Sequence, residues 1–373
     1  MSRRRAVWCV VALVLVLSIT ATACASSGPQ VGPAGRHTLP ARTGAFVYAV
    51  GIFNLVMRSS NGGATWGQVH RDRNAALATL WSAAFANSQR GWAVGMASII
   101  ATKDGGLHWS SQRAGSLALQ FDAVACSSSQ HAWAVGRRES GAGDPGTSAA
   151  ILSTRNGGAT WRMQTLPQLA RLNGVAFADS RHGWAVGEDK TQLYGVIIAT
   201  SDGGRHWHVQ QRFKWTDFTA VACTDAAHVW AVGGPIEFPV TGLRPTPPMI
   251  VTTSDGGTHW HTQLAANAGT GGDLYGVDFV DGRHGWVVGP GVVLATSDGG
   301  LTWQDRPPDA GPSADRSIYD SVSFADARHG WIVVDHHQLL ATSDGGTTWQ
   351  VIMSLPLQTD RSLTGVLAFG PKS

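Results

Sequence analysis

The chain has 373 residues, a formal net charge of +3, and 43% hydrophobic against 14% charged residues. That composition can bury a core and excludes a disordered polyelectrolyte. Three of its 28 bases and none of its 25 acids fall in residues 1–23, so beyond that segment the charges balance, and no basic surplus remains to draw the chain to a nucleic-acid backbone.

Arg3, Arg4 and Arg5 are followed by an apolar run from Ala6 to Leu17 and then small residues up to Cys24. The run is shorter than the roughly 20 residues a membrane span needs. A basic start, a short apolar core and small residues before a cut site predict a secretory signal over residues 1–23. Ala21, Thr22 and Ala23 before Cys24 have the form of a lipobox, which predicts cleavage and acylation at Cys24. An ordinary cut near Ala23 and an uncleaved anchor are the alternatives. Residues 24–43 are rich in Gly, Pro and Ser and read as a flexible tether to a domain over residues 44–373.

One eight-residue pattern, Ser/Thr-x-Asp/Asn-Gly-Gly-x-x-Trp, then recurs seven times. Its acidic or amide position is Asn61, Asp104, Asn156, Asp202, Asp255, Asp298 and Asp344, with successive copies 43 to 53 residues apart. This is the Asp-box. The Asp or Asn accepts backbone N–H groups inside a hairpin turn, and the glycines take positive φ without a Cβ clash. These residues therefore read as structural. Before each box but the first lies an alternating pair of segments, such as Val175–Phe177 and Gly183–Gly187, which read as strands A and B. Strand C leads into the box and strand D follows its Trp.

The first unit lacks strand A, and Leu363–Phe369 is a strand A with nothing after it. The predicted fold is an all-β, seven-bladed propeller with four antiparallel strands per blade, blade one being closed by the C-terminal strand. Cys126 and Cys223 take the strand-A Phe position of blades three and five. With a blade between them they are read as buried apolar residues, not a disulfide.

The combination of Val-x-Phe-x-Asp, Arg-His-Gly-Trp-Ala-Val-Gly and Ala-Thr-Ser-Asp-Gly-Gly-x-x-Trp resembles the photosystem II stability and assembly factor family over about residues 44–370. Members of that family are seven-bladed Asp-box propellers. The photosynthetic ones are non-catalytic assembly factors that hold a partner protein. The resemblance implies protein binding here, by analogy of fold.

Asp-boxes also occur in sialidases and some glucanases, so a glycoside hydrolase of either type is the alternative. A sialidase needs three arginines and a Tyr activated by a Glu. Glutamate is limited to Glu139, Glu188 and Glu237, all placed in B–C loops, and the Arg-Ile-Pro motif is absent. Asp122 and Asp320 are the candidate facing carboxylates. The histidines recur one per blade and do not converge, and the run Asp335, His336, His337 reads as a solvated loop. No metal and no cofactor is expected.

Asp-box and A–B turns share one face of the ring and are uniform. The other face carries D–A and B–C loops, the longest being 137–149, 234–248 and 305–317, and these vary. Four residues before the Phe/Cys position this mouth reads Trp81, Asp122, Asn173, Thr219, Tyr275, Asp320 and Gly365, with Trp215 in a neighbouring D–A loop. Trp81, Asp122, Asn173, Trp215, Tyr275 and Asp320 are the candidate ligand-binding residues. They suit a protein or a cell-envelope glycan. The expectation is a monomeric, extracytoplasmic binding or scaffolding protein, held to the membrane by lipid alone. Cys24→Ser should release the protein from membranes or block its processing. Unchanged membrane retention with normal signal cleavage, read by fractionation and mass spectrometry, would sink the lipobox.

Overall fold

The computed structural model describes residues 45–369, apart from 73–77, 97, 113–118, 139–146, 167, 237–246, 264–272, 309–316 and 357–361. The predicted signal, Cys24 and the tether lie outside the described residues. So do Glu139, Glu237 and the middles of the three long mouth loops.

Among the described residues, 28 strands form seven four-stranded antiparallel sheets, with no helix. In six sheets the strands follow chain order. Blade four, for example, runs Leu169–Phe177, Gly183–Asp189, Tyr194–Thr200 and His208–Lys214. The seventh sheet places the C-terminal strand Leu363–Phe369 beside Phe46–Gly51, so the last strand is the inner strand of the first blade. The inner strands contact one another in order around the ring, and that of blade seven, Tyr319–Phe324, meets Leu363–Phe369. The ring is closed and its inner edges are covered.

Each box turn is built the same way. In blade four, Thr200 Oγ1 donates to Asp202 Oδ1 (2.9 Å) and accepts Gly204 N–H (2.9 Å), while the same Oδ1 accepts His206 N–H (3.0 Å). Gly203 and Gly204 hold φ of 74° and 76°, where a side chain would be strained. The opening Ser or Thr thus carries the turn as much as the Asp does. The Arg-His-Gly turns clamp onto this hairpin. Arg181, Arg283 and Arg328 each donate from Nε to a box carbonyl, at Ser201, Ser297 and Ser343.

Blades are joined by the strand-B indole. Trp133, Trp230 and Trp286 stack face to face on the strand-A Phe of the next blade, Phe177, Phe279 and Phe324, with ring centroids 3.5, 3.7 and 3.4 Å apart. The box Trp of that next blade meets the same Phe edge-on, as Trp207 meets Phe177. Each indole Nε1 also donates to the first box glycine of the next blade: Trp133 to Gly203 O at 3.2 Å, Trp230 to Gly299 O at 3.0 Å, Trp286 to Gly345 O at 3.0 Å. Trp331 closes the circle on Gly62 O at 3.2 Å.

Blade one has no Trp in strand B. Tyr48 stands in its place, stacking on Phe85 at 4.2 Å and donating from its hydroxyl to Gly105 O at 2.7 Å. Trp92 and Trp184 are the two indoles that meet Cys126 and Cys223 instead of Phe, and their buried Nε1 atoms have no acceptor. The two cysteines are half-buried and not bonded to each other, and burial pushes the Cys223 thiol up to about 12.

The turn Asp335–His337 leaves His336 exposed, as expected of a solvated loop, and is also a clasp at the ring closure. Asp335 and His336 hold φ of 51° and 61°, a conformation non-glycine residues seldom adopt. Bonds hold it there. Ile318 N–H donates to Asp335 Oδ1 (2.8 Å), and Leu363 N–H, at the start of the closing strand, donates to His336 O (2.6 Å). His336 in turn gives its own N–H to Asp320 Oδ2 (3.1 Å), with Nδ1 at 3.2 Å from the same oxygen.

Two outcomes follow from this packing. Trp230→Ala removes a buried stack and the Gly299 bond together, and should cost about 3–5 kcal/mol in denaturant unfolding. Less than about 1 kcal/mol would mean that the blades do not depend on this contact. The second concerns pH. The hydrogen bond to Asp320 raises the His336 pKa against the opposing effect of burial. A raised folded pKa means that the contribution is complete below the ordinary histidine value of about 6.5, and is lost as pH climbs through the folded value. The melting temperature should therefore fall on going above neutrality, and Asp320→Asn should flatten that fall. The buried Asp278 carboxyl, pushed up to about 6 by burial, acts in the separate window below it.

Candidate functional site

The mouth is organised by an irregularity at the same height in six of the seven inner strands. In blade two Leu80 pairs with Gly95 and Ser82 with Val94, so Trp81 is an extra residue, a β-bulge. Asp122, Asn173, Thr219 and Asp320 are the extra residues of blades three, four, five and seven. Tyr275 directly precedes Gly276, and its N–H reaches Val288 O at 2.7 Å. In blade one the extra residue is Thr364, not Gly365, because Gly51 pairs with Leu363 and Val50 with Gly365. The hydroxyls agree with that register. Thr219 bonds Val232 O and Leu274 O as Thr364 bonds Val50 O and Leu80 O, each reaching the next blade. The spacing from Phe369 misled by one residue, since Ala368, not Phe369, faces Val47. Gly365 is needed for another reason: a Cβ there would lie 2.8 Å from Trp81 O.

One residue before each of the six bulges sits a fully buried anchor, Leu80, Phe121, Leu172, Phe218, Tyr319 and Leu363, and Leu274 before Tyr275 is buried in the same way. This apolar ring fixes the strand, and the bulge then swings the next residue away from the ladder.

The candidates differ in what they do there. Trp81, Asp122, Tyr275 and Asp320 are half-buried. Asn173 is buried at 6% exposure and spent on the fold, its Nδ2 donating to Asp217 Oδ1 (3.2 Å) and Phe218 O (2.6 Å) of blade five. Asp320 is engaged with His336 as described. Asp122 accepts a long bond from Gln120 Nε2 at 3.4 Å. Asp122 and Asp320 stand on blades three and seven, with two blades between them the short way round. Trp215 is apart from the ring, in the one-residue turn between strands His208–Lys214 and Thr216–Cys223. It takes a φ of 63°, and Lys214 Nζ lies 4.8 Å from its ring centre.

Charged residues overlooked in the sequence sit just outside the bulges of blades four and five. Arg171 Nε is 3.5 Å from Glu188 Oε1, with side chains only 11% and 4% exposed, and Arg212 is 3.1 Å from Asp189. Asp217 is buried beside Asn173. Glu188 belongs to strand Gly183–Asp189, not to a B–C loop as its spacing suggested. The signal for this cluster was the charge pair itself, Arg171 facing Glu188 across a strand pair that runs longer than the Gly-to-Gly motif. Among the described residues no three His, Cys, Asp or Glu side chains gather as a metal site would require.

Residues 265–359 match the family model described as Photosynthesis system II assembly factor YCF48. No curated protein matches the chain by sequence. Among solved structures, "YCF48 bound to D1 peptide" is 17% identical with a TM-score of 0.54, covering 79% of this chain and 93% of that one. "YCF48 from Cyanidioschyzon merolae" is 20% identical with a TM-score of 0.53, covering 74% and 86%. "Structure of U3-55K" reaches 0.55 at 10% identity, covering 77% and 84%. At these identities the likeness is one of fold. Together with the boxes, the inter-blade indoles and the closing strand, these matches make the chain a seven-bladed Asp-box propeller resembling the photosystem II assembly factor family.

Proposed function

We propose that this chain is a non-catalytic, extracytoplasmic binding propeller that holds a protein segment at its mouth, after export by residues 1–23 and lipid attachment at Cys24. The carrying observation is the bulge ring. Six inner strands expel a residue from the ladder at the same height, and those residues are one Trp, two Asp, one Asn and two Thr, a mixture set on a scaffold that repeats beneath them. Mouth carboxylates and cations are largely engaged with each other, as in Asn173–Asp217, Asp320–His336 and Arg171–Glu188. That favours a preorganised recognition surface over a pair of carboxylates poised for proton transfer. The neighbour whose structure holds a D1 peptide supports a peptide as the type of ligand. Trp81 and Tyr275 are the aromatic anchors of this reading, and they also suit sugar stacking, which keeps an envelope glycan as the second reading.

A partner captured from the native envelope by the full chain should lose affinity with Trp81→Ala combined with Tyr275→Ala. The expected loss is about 2 kcal/mol, roughly thirtyfold in Kd, with the melting temperature little changed. Normal binding by a folded double variant would move the site off the mouth. Turnover of sialosides or glucans by the wild-type chain would replace this reading with the hydrolase.

A further inference from the structure

The Asp-box face is uniform in shape but not in charge. Over the described A–B turns and boxes, blades one to four carry five bases and three acids, and blades five to seven carry two bases and six acids. The difference begins in the boxes themselves, where blades one and three have Asn61 and Asn156 in place of Asp. The box acids stay ionised, since turn bonds hold Asp104 and Asp298 down to about 2. The face is therefore split into a cationic and an anionic half.

The cationic half is also shaped. Arg155, Arg162 and Arg205 flank a cleft of about 300 Å³ between blades three and four, and Arg155, Arg181 and Arg205, together with Asp202, border a second of about 280 Å³. Lys103, Arg155, Arg162, Arg181 and Arg205 are all exposed. Leu107, at the tip of the blade-two box, is 51% exposed, and Leu301, at the same box position in blade six, is 82% exposed, so an exposed leucine does not distinguish the two halves. Guanidinium forks around a cleft match phosphate oxygens. The chain also enters the fold on this face, because Gly62 N–H of the first box donates to Ala45 O at 3.1 Å.

We propose that the Asp-box face of blades two to four docks on a bilayer surface of anionic phospholipid, so that the mouth points away from the membrane. Membrane proximity rests on the anchor proposed at Cys24, whereas the orientation rests on the face alone. Residues 25–44 can reach about 3.4 Å each, which confines the propeller near the bilayer without choosing which side meets it. Charge chooses. Each exposed base near an anionic surface multiplies partition about fivefold, and the anionic half is repelled.

The test uses the full chain purified from membranes and reconstituted into vesicles. A fluorophore is attached at Ala159→Cys on the box face or at Lys190→Cys on the opposite face, with the wild-type chain as the labelling background. In vesicles of equimolar phosphatidylcholine and phosphatidylglycerol, the box-face label should be shielded from acrylamide and the other label should not. Shielding should vanish in pure phosphatidylcholine, at high salt, and in the triple variant Lys103→Ser, Arg162→Ser, Arg205→Ser. For the detached chain, that variant should weaken vesicle partition by about a hundredfold. Equal quenching at both positions, or shielding at Lys190→Cys, overturns the proposal. Shielding by polyglutamate but not by vesicles reassigns the face to an acidic protein. Mass spectrometry of the same sample reports the Cys24 adduct, so failure of the anchor is read separately from failure of the docking.

Discussion

The structure depends most on one inter-blade contact, the strand-B indole laid over its neighbour. It is complete, with stack and hydrogen bond, at Trp133, Trp230 and Trp286, and present in part at the other blades. A four-stranded blade cannot bury both of its faces alone. The indole does three things for it: it covers the next blade's inner-strand Phe, supports that blade's box Trp, and donates to the carbonyl of its first box glycine. The hydrogen bond ties the turn's backbone to a neighbouring side chain, so the two glycines must present that carbonyl in one orientation. The box is thus a local turn and also the acceptor half of an inter-blade joint.

The fold was legible because its signals are local. A Thr-x-Asp-Gly-Gly hairpin closes within five residues, and an alternating Gly-Trp-Ala-Val-Gly strand declares its period on its own. What was not legible depended on contacts between blades. Tyr48 lacks the Trp signature, yet it stacks on Phe85 and bonds Gly105 O as the indoles do. Asn173 looks like a mouth residue by spacing, but its amide bridges to blade five, a partner 45 residues away. Thr364 was hidden by a one-residue difference in strand length that only the pairing with Gly51 and Val50 displays. The clasp made by the Asp335–His337 turn was hidden because its partners, Asp320 and Leu363, come from other strands.

The two faces differ in how freely their residues can change. On the box face the Asp or Asn and the opening Ser or Thr are held by their own turn, and only the x positions are at liberty. Lys103, Arg155 and Arg205 occupy such positions, while Asn61 and Asn156 remove a charge at the acidic position without changing the turn bonds. Such changes are enough to polarise a face whose backbone repeats, because charge acts across a Debye length and needs no special geometry.

On the mouth face liberty comes from the bulge. A residue in register must alternate with its neighbours and fill a fixed space between sheets. The extra residue of a bulge has no cross-strand partner, and the buried anchor before it already holds the strand. Its side chain can therefore be Trp, Asp, Asn or Thr without disturbing the ladder. Two blades use this freedom for the ring itself, through the hydroxyls of Thr219 and Thr364, and a third does so through the amide of Asn173. Blades two and six carry large aromatics at the mouth, Trp81 at the bulge itself and Tyr275 directly before Gly276, its N–H bonded to Val288 O.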